Sequence, residues 1–318
     1  MPAAAPFPEE LLEPGSVLDG RYRIDGVLGG GGMARVYRAE HLRIGGAVAI
    51  QVLLAKLSQS PEVVARLQRE AITSGRLEHP NIVAVTDSGV LHDGRCYLVM
   101  ESLDGETLGD LLAREGRLPW RTALALVRGV LLGLGHAHAH GVVHRGIRPD
   151  NIFLSRRQEP PLIKLLGFGI AGLTLDAPSY LSPEQAAGGE STPASDLYST
   201  TVVLFEMLTG RTPGPREVVP GLELPAGLEA LLGRGLAEAI AGRIPTAEMY
   251  LQMLDAIGDP GPPSPATMSV LPPPYRKDDG TMLVRPRPGP RIWIVLVSAV
   301  LAALALVGAY ALVRSSLH

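Results

Sequence analysis

The 318-residue chain has little of several things, and each shortage removes a class of function. It has one cysteine, Cys96, so no internal disulfide can form and the folded part suits a reducing compartment. Aromatic residues make up 4% and the formal net charge is -3. A base-stacking platform and a basic excess are both missing, which disfavours a nucleic-acid partner. The only lysines are Lys56, Lys164 and Lys277, so few ammonium groups are available to a site that needs one. Residues 1–18, rich in Ala, Pro and Glu, lack the basic start and apolar run of a secretory signal and are expected to form a disordered N-terminal tail. Apolar residues at 46% leave ample material for a core.

From 19 to 257 the pattern is that of a folded domain. Tyr22–Leu28, Ala34–Glu40 and Ala47–Leu54 read as strands broken by glycines. Val63, Val64, Leu67 and Ala71 recur at helical spacing and predict a helix from Pro61 to about Leu77. Ile82–Ser88 and Cys96–Glu101 read as two further strands. Pro119–His140, Ser195–Thr209 and Leu228–Ala237 read as helices. A small β-rich lobe followed by a larger helical lobe is therefore expected, an α+β arrangement.

Ten of the 34 residues in 258–291 are proline, a composition that packs no core and makes an extended, semi-rigid linker. The chain then runs apolar from Ile292 to Val313. Twenty-two helical residues span roughly 33 Å, enough for a hydrocarbon layer of about 30 Å. Residues 292–313 are therefore expected to form a transmembrane helix. Arg276, Lys277, Arg285, Arg287 and Arg291 precede the run, while Arg314 alone follows it among Lys and Arg, so the large domain is expected on the cytoplasmic side. Residues 314–318 would be a short extracytoplasmic tail, making the helix a tail anchor.

Leu28-Gly29-Gly30-Gly31-Gly32-Met33-Ala34-Arg35-Val36-Tyr37 lies between two expected strands, where glycines let backbone N–H groups approach phosphates. Alone this is a weak signal. Downstream come Val48-Ala49-Ile50-Gln51 on the third strand and Arg69-Glu70-Ala71 on the following helix. Then follow His144-Arg145-Gly146-Ile147-Arg148-Pro149-Asp150-Asn151, Leu166-Gly167-Phe168-Gly169, Ser182-Pro183-Glu184-Gln185-Ala186 and Ser195-Asp196-Leu197-Tyr198. In this order and spacing the segments resemble the bacterial members of the eukaryotic-type Ser/Thr protein kinase family, and the tail-anchored layout resembles its membrane kinases. The resemblance implies a two-lobed protein-kinase-like fold with a nucleotide cleft between lobes. It places adenine among Leu28, Gly29, Gly31, Val36, Ala49, Met100 as gatekeeper, the hinge Glu101–Leu103, and Phe153 as floor.

The departures from the family pattern bear on chemistry. The lysine that grips nucleotide phosphates is Gln51 here, although its expected partner Glu70 is retained. The aspartate that orients and deprotonates the substrate hydroxyl is Gly146. The aspartate that holds Mg²⁺ is Gly167, leaving Asn151 as a retained metal contact. The catalytic-loop lysine is Arg148, and the threonine ahead of the Pro-Glu segment is Ala177, with Asp176 in place of a glycine. A general base contributes roughly 10²–10⁴-fold to rate. Losing metal and lysine removes much of the charge stabilisation on which phosphoryl transfer depends. Ala34, Arg35 and Asp150 sit at positions poorly suited to replace the missing groups. Structural residues match the family better: His144 and Phe168 in its hydrophobic spine, Asp196 as a brace of the catalytic loop, Glu184 and Arg243 as a buried ion pair.

The expectation is a pseudokinase serving as a membrane-tethered scaffold or allosteric regulator, with an active kinase or its substrate as partner. Two alternatives stay open: a Ser/Thr kinase of low residual activity, and a nucleotide-sensing module that binds ATP weakly and without metal. No metal site is expected. His136, His138 and His140 lack a carboxylate or cysteine to complete one, and Cys96 reads as a buried filler in an apolar strand.

Overall fold

The computed structural model describes residues 11–30, 34–60, 63–65, 75, 77–156, 162–168, 178–214, 224–225 and 227–258. The first lobe is built on β1 (Val17–Leu18), β2 (Tyr22–Gly30), β3 (Ala34–His41), β4 (Ala47–Leu53), β5 (Val85–Val90) and β6 (Cys96–Glu101), with a short helix α1 (Ala55–Ser58). They form one antiparallel sheet in the order β1-β2-β3-β4-β6-β5. Residues directly opposite one another in such a sheet share a face, and neighbours along a strand alternate. Tyr37, Ile50 and Val99 stand opposite one another, as do Val52 and Tyr97, and they pack with Leu18, Tyr22 and Ile24 into one apolar core. The alternate set, Val36, Gln51 and Leu98 with Ala49 and Met100, is left on the other face. One pleat thus separates the side that stabilises the lobe from the side that can receive a ligand.

The second lobe holds a three-stranded sheet in the order β7-β8-β9, from β7 (Gly105–Thr107), β8 (Ile152–Ser155) and β9 (Leu162–Leu165). Around it lie α2 (Leu108–Glu115), α3 (Trp120–Ala139), α4 (Pro183–Ala186), α5 (Pro193–Thr209), α6 (Leu228–Gly235) and α7 (Ala247–Ile257). Twelve of the seventeen α5 residues are buried, so this helix runs through the core and not over its surface. A capping box between Thr192 and Ser195 and a proline at its first turn fix where it starts. Gly129 and Gly133 let α3 lie against β9: a Cβ there would come within 2.8 Å of the Ile163 side chain and 2.9 Å of Leu165 Cδ1. Among the described residues α3 is the one helix long and apolar enough to cross a membrane, yet it packs inside this core.

Asn81 joins the lobes. Its Nδ2 donates to Ile163 O (2.9 Å), and its carbonyl accepts from Leu165 N (2.8 Å). Val83 N donates in turn to Leu165 O (3.0 Å).

The elements differ from expectation in several places. The folded part begins upstream of residue 19: Leu18 is buried, β1 pairs with β2, and Leu12 N donates to the Tyr37 hydroxyl (3.3 Å). The strand expected at Ile82–Ser88 starts at Val85, because the backbone around Ile82 is engaged with Leu165 instead. The helix expected to reach Ala237 stops at Gly235. Strands β1, β7, β8 and β9 and helices α1, α2, α4 and α7 add to the expected set. Of the helix expected over 61–77, residues 63–65 are helical and most of the rest lies outside the described residues. Residues 1–10, the proline-rich linker from 259 onward and the apolar run 292–313 also lie outside them.

Candidate functional site

The cleft face of the first sheet carries the residues expected around adenine. Val36 stands opposite Gly29 and Gln51, and Ala49 stands opposite Met100. Leu28 is partly exposed near the end of β2, and the chain continues from β6 through Glu101 to Leu103. Phe153 lies on β8, paired with Thr107 and Lys164. These walls are mostly aliphatic, a surface suited to a flat apolar ring. Gly31, expected among them, lies outside the described residues, as do Glu70 and Ala177.

Glu101 is already engaged. Its Oε1 accepts from Lys164 Nζ (2.6 Å) and from Ala84 N (2.9 Å), and Lys164 Nζ also reaches Ile82 O (3.4 Å). Lys164 is thus a structural clamp between β9 and the hinge. Sequence reasoning did not assign it this role, since the two residues are 63 positions apart.

Gln51 faces a narrow gap lined by Val83, Val85, Leu98, Met100, Gly167 and Phe168. Two of the positions where a charged group was expected, Gln51 and Gly167, therefore look into the same space. Gly167 has φ +78°, a left-handed conformation that glycine adopts readily and other residues adopt at a cost. A Cβ there would find ordinary contact, 3.6 Å from Asn151 Oδ1, so room for a side chain exists. Phe168 beside it is buried against His144, with ring centroids 4.4 Å apart.

The catalytic-loop segment is held from below by Asp196 of α5. Its carboxylate accepts from His144 N and Arg145 N, both at 2.8 Å, and lies 2.8 Å from His138 Nε2. This is what keeps Arg145 at φ +68°, a conformation unusual for a residue with a Cβ. His144 is buried, and burial pushes its pKa down despite the nearby Asp196 carboxylate, so it is neutral. Its Nδ1 accepts from Gly146 N (3.3 Å) and its Nε2 donates to Leu166 O (3.0 Å), which fixes the tautomer with the proton on Nε2. His144 is therefore a structural tie between the loop and the Gly167 turn.

Gly146 brings a backbone and nothing more to the loop. Asn151 Nδ2 donates to Gly146 O (2.8 Å), so the retained amide braces the loop. Arg148 pairs with the Asp150 carboxylate (Nε to Oδ2 4.0 Å), and its buried Nε has no hydrogen-bond acceptor. Gln185 Nε2 donates to Arg145 O (3.3 Å) and ties the segment after the loop to it. Further out, Arg243 grips Glu184 through two hydrogen bonds (2.8 and 2.7 Å), joined by Ser195 Oγ (2.7 Å).

The donors around Gly167 do not fit magnesium. That ion takes oxygen ligands, usually including one or two carboxylates. Gly167 supplies no side chain, and Asn151 offers a single amide oxygen beside an amide nitrogen already in use. Among the described residues no group of three His, Cys, Asp or Glu side chains could hold a metal ion.

Known proteins share this frame. Residues 22–220 match the family described as the protein kinase domain. Serine/threonine-protein kinase pkn3 of Myxococcus xanthus is 34% identical over 278 residues, covering 76% of this chain and 51% of that protein. PrkC of Bacillus subtilis is 40% identical over 210 residues, covering 63% of this chain and 32% of that protein. The chain thus spans about half or less of these relatives' length. The crystal structure of the Mycobacterium tuberculosis PknI kinase domain superposes with a TM-score of 0.66 at 29% identity, over 78% of this chain and 100% of that one. With the two lobes, the hinge and the braced loop in the same order, the chain belongs to the protein kinase domain family.

Proposed function

We propose that this protein is a catalytically silent member of the kinase family, a pseudokinase tethered to the membrane by residues 292–313 with its folded domain on the cytoplasmic side. It acts as a scaffold or allosteric partner for an active kinase or that kinase's substrate. One observation carries the reading: the supports of the site are in place while Gln51, Gly146 and Gly167 occupy the three positions at which charge was expected. Phosphoryl transfer is positioning plus charge neutralisation, and this cleft supports the first far better than the second. Aliphatic walls at Val36, Ala49 and Met100 still suit adenine, so weak, metal-independent ATP binding is compatible with silence.

The test is transfer of radiolabel from the γ-phosphate of ATP to generic protein substrates, using the full-length chain in detergent with Mg²⁺ or Mn²⁺. No incorporation above a mock-purified control is expected. Transfer abolished by Ala49→Trp, which fills the cleft, would overturn the reading in favour of a kinase of low residual activity. That second reading is favoured by the retained Asn151 and the packing of Phe168 on His144.

A further inference from the structure

Three imidazoles stand in a row beside the joint between the lobes. His79 stacks on His136 of α3, with ring centroids 4.9 Å apart and 28° between the planes, and His136 lies 4.4 Å from His140. The backbone sets what the outer two rings can do. Asn81 N donates to His79 Nδ1 (3.1 Å), so neutral His79 carries its proton on Nε2. His140 Nδ1 donates to His136 O (2.8 Å). Ile82 N donates to His79 O (3.0 Å) and closes a turn through Pro80. Asn81 is buried, and this turn aims its amide at Ile163 O and its carbonyl at Leu165 N. His79 itself is half-buried, so water can deliver a proton to it.

A proton on His79 Nδ1 turns the acceptor of Asn81 N–H into a donor. The buried N–H then has no partner, a state that folded chains seldom tolerate. The new charge is also badly placed. Burial, then His136 and Lys164, hold the His79 pKa below its usual value. Among the described residues no carboxylate offsets the charge. Glu101 is taken by Lys164 and Ala84 N, and Glu248 of α7 faces α3 at Gly135. His138 turns the other way, to Asp196, and exposed Glu78 makes no hydrogen bond to the ring. We propose that His79 is a pH-sensitive latch on the joint between the lobes. Neutral, it holds Asn81 in place against β9. Charged, it releases Asn81 and repels Lys164, whose own partners are Ile82 O and the hinge residue Glu101. In an opened joint His79 takes up a proton near the usual 6.5, whereas in the closed joint it does so only at lower pH. The latch is therefore closed above pH 6.5. Below it the open fraction grows, by up to about tenfold per pH unit, until the ring titrates in the closed joint as well. None of this depends on the cleft being silent.

Amide hydrogen exchange tests it. The full-length chain in detergent is followed by mass spectrometry from pH 7.5 to pH 4.5, with each rate corrected for the intrinsic exchange at that pH. Peptides covering 79–84 are expected to exchange at least about threefold faster at the acid end. Low urea should leave that exchange unchanged while it accelerates exchange in α5, because a local opening exposes little new surface. His79→Asn keeps an acceptor, its Oδ1, near the place of Nδ1 and takes up no proton, so exchange of 79–84 should lose its pH dependence. His136→Phe keeps a ring in the stack and removes one opposing group, so the pH effect should shrink without vanishing. If His79→Asn does not fold, deuterium exchange at the imidazole C2 position of the unmodified chain decides: opening of 79–84 should level off at the pH where His79 titrates. Opening that is constant with pH, that low urea accelerates as much as in α5, that keeps its pH dependence in folded His79→Asn, or that levels off away from the His79 titration would each overturn the proposal.

Discussion

Gln51 and Gly167 make most physical sense as a pair. A lysine facing the gap between Leu98, Met100 and Phe168 would be a partly buried cation, and an aspartate on the other side would be its counter-charge. Either charge that faces only a neutral group across the gap is unfavourable, because that group does not offset its desolvation. A neutral amide opposite a glycine avoids that cost. Gln51→Lys is therefore expected to destabilise the chain by about 1–3 kcal/mol, and Gly167→Asp by a similar amount, including about 1 kcal/mol for a side chain at φ +78°. The double variant should cost less than the sum by about 1–2 kcal/mol, read from urea unfolding of all four chains. Strict additivity would show that the two positions do not sense each other. The identity of these residues was legible in the sequence, since each sits in a short motif. That they share one cavity was not, because it depends on how β4 and the turn after β9 are brought together. Lys164 was hidden for the same reason: it meets Glu101 only once β9 lies under the hinge.

At the level of elements, strand-like runs broken by glycines made β2, β3 and β4 legible, β6 read as a further strand-like run, and α3 and α5 read as helices. The hairpin of β8 and β9 was harder to see, since each strand is four residues long and both are largely apolar. Helix α7 did carry a readable sign: Thr246 accepts from Met249 N at its start, right after Pro245. The contacts between elements also set a pH dependence. His144, between the catalytic loop and the Gly167 turn, is held neutral by burial. His79, stacked on His136 of α3, has its pKa lowered by burial and then by His136 and Lys164. Both groups take up protons more readily in the unfolded chain, so stability is lost as pH falls through their usual 6.5. Glu184 adds a second window. Burial pushes its pKa up, but the hydrogen bonds from Arg243 and Ser195 outweigh it and bring it to about 2 from 4.5. Its contribution is present above pH 4.5 and disappears as pH falls toward about 2. Urea midpoints measured from pH 8 to pH 3 should therefore decline in two stages, and Glu184→Gln should flatten only the lower one. A single, unchanged lower stage in that variant would show that the ion pair does not govern it.

For the whole molecule, the order of motifs made the two-lobed frame legible, and the match over residues 22–220 agrees with it. Apolar length alone is a poorer guide. α3 spans 20 residues and is apolar enough to cross a membrane, yet it is the core of the second lobe. What separates the run at 292–313 is its setting. α3 is interrupted by Arg121 and Arg128, and Arg128 pairs with Asp255 of α7. The later run has no charged residue over 22 positions and follows a proline-rich segment. Membrane insertion then becomes a question of charge: each arginine at the centre of a span costs about 2.5–3.5 kcal/mol on an insertion scale. The full-length chain is expected to stay with membranes through carbonate extraction, and Leu301→Arg with Leu304→Arg is expected to release it. Orientation can be read on the same chain because its single cysteine, Cys96, is buried, and burial pushes the thiol pKa up. Ser316→Cys supplies an accessible thiol beyond the run. In whole cells an impermeant maleimide should label Ser316→Cys and leave the parent chain unlabelled. Labelling only after lysis would place the tail, and not the basic linker alone, on the inner side, and would reverse the expected topology.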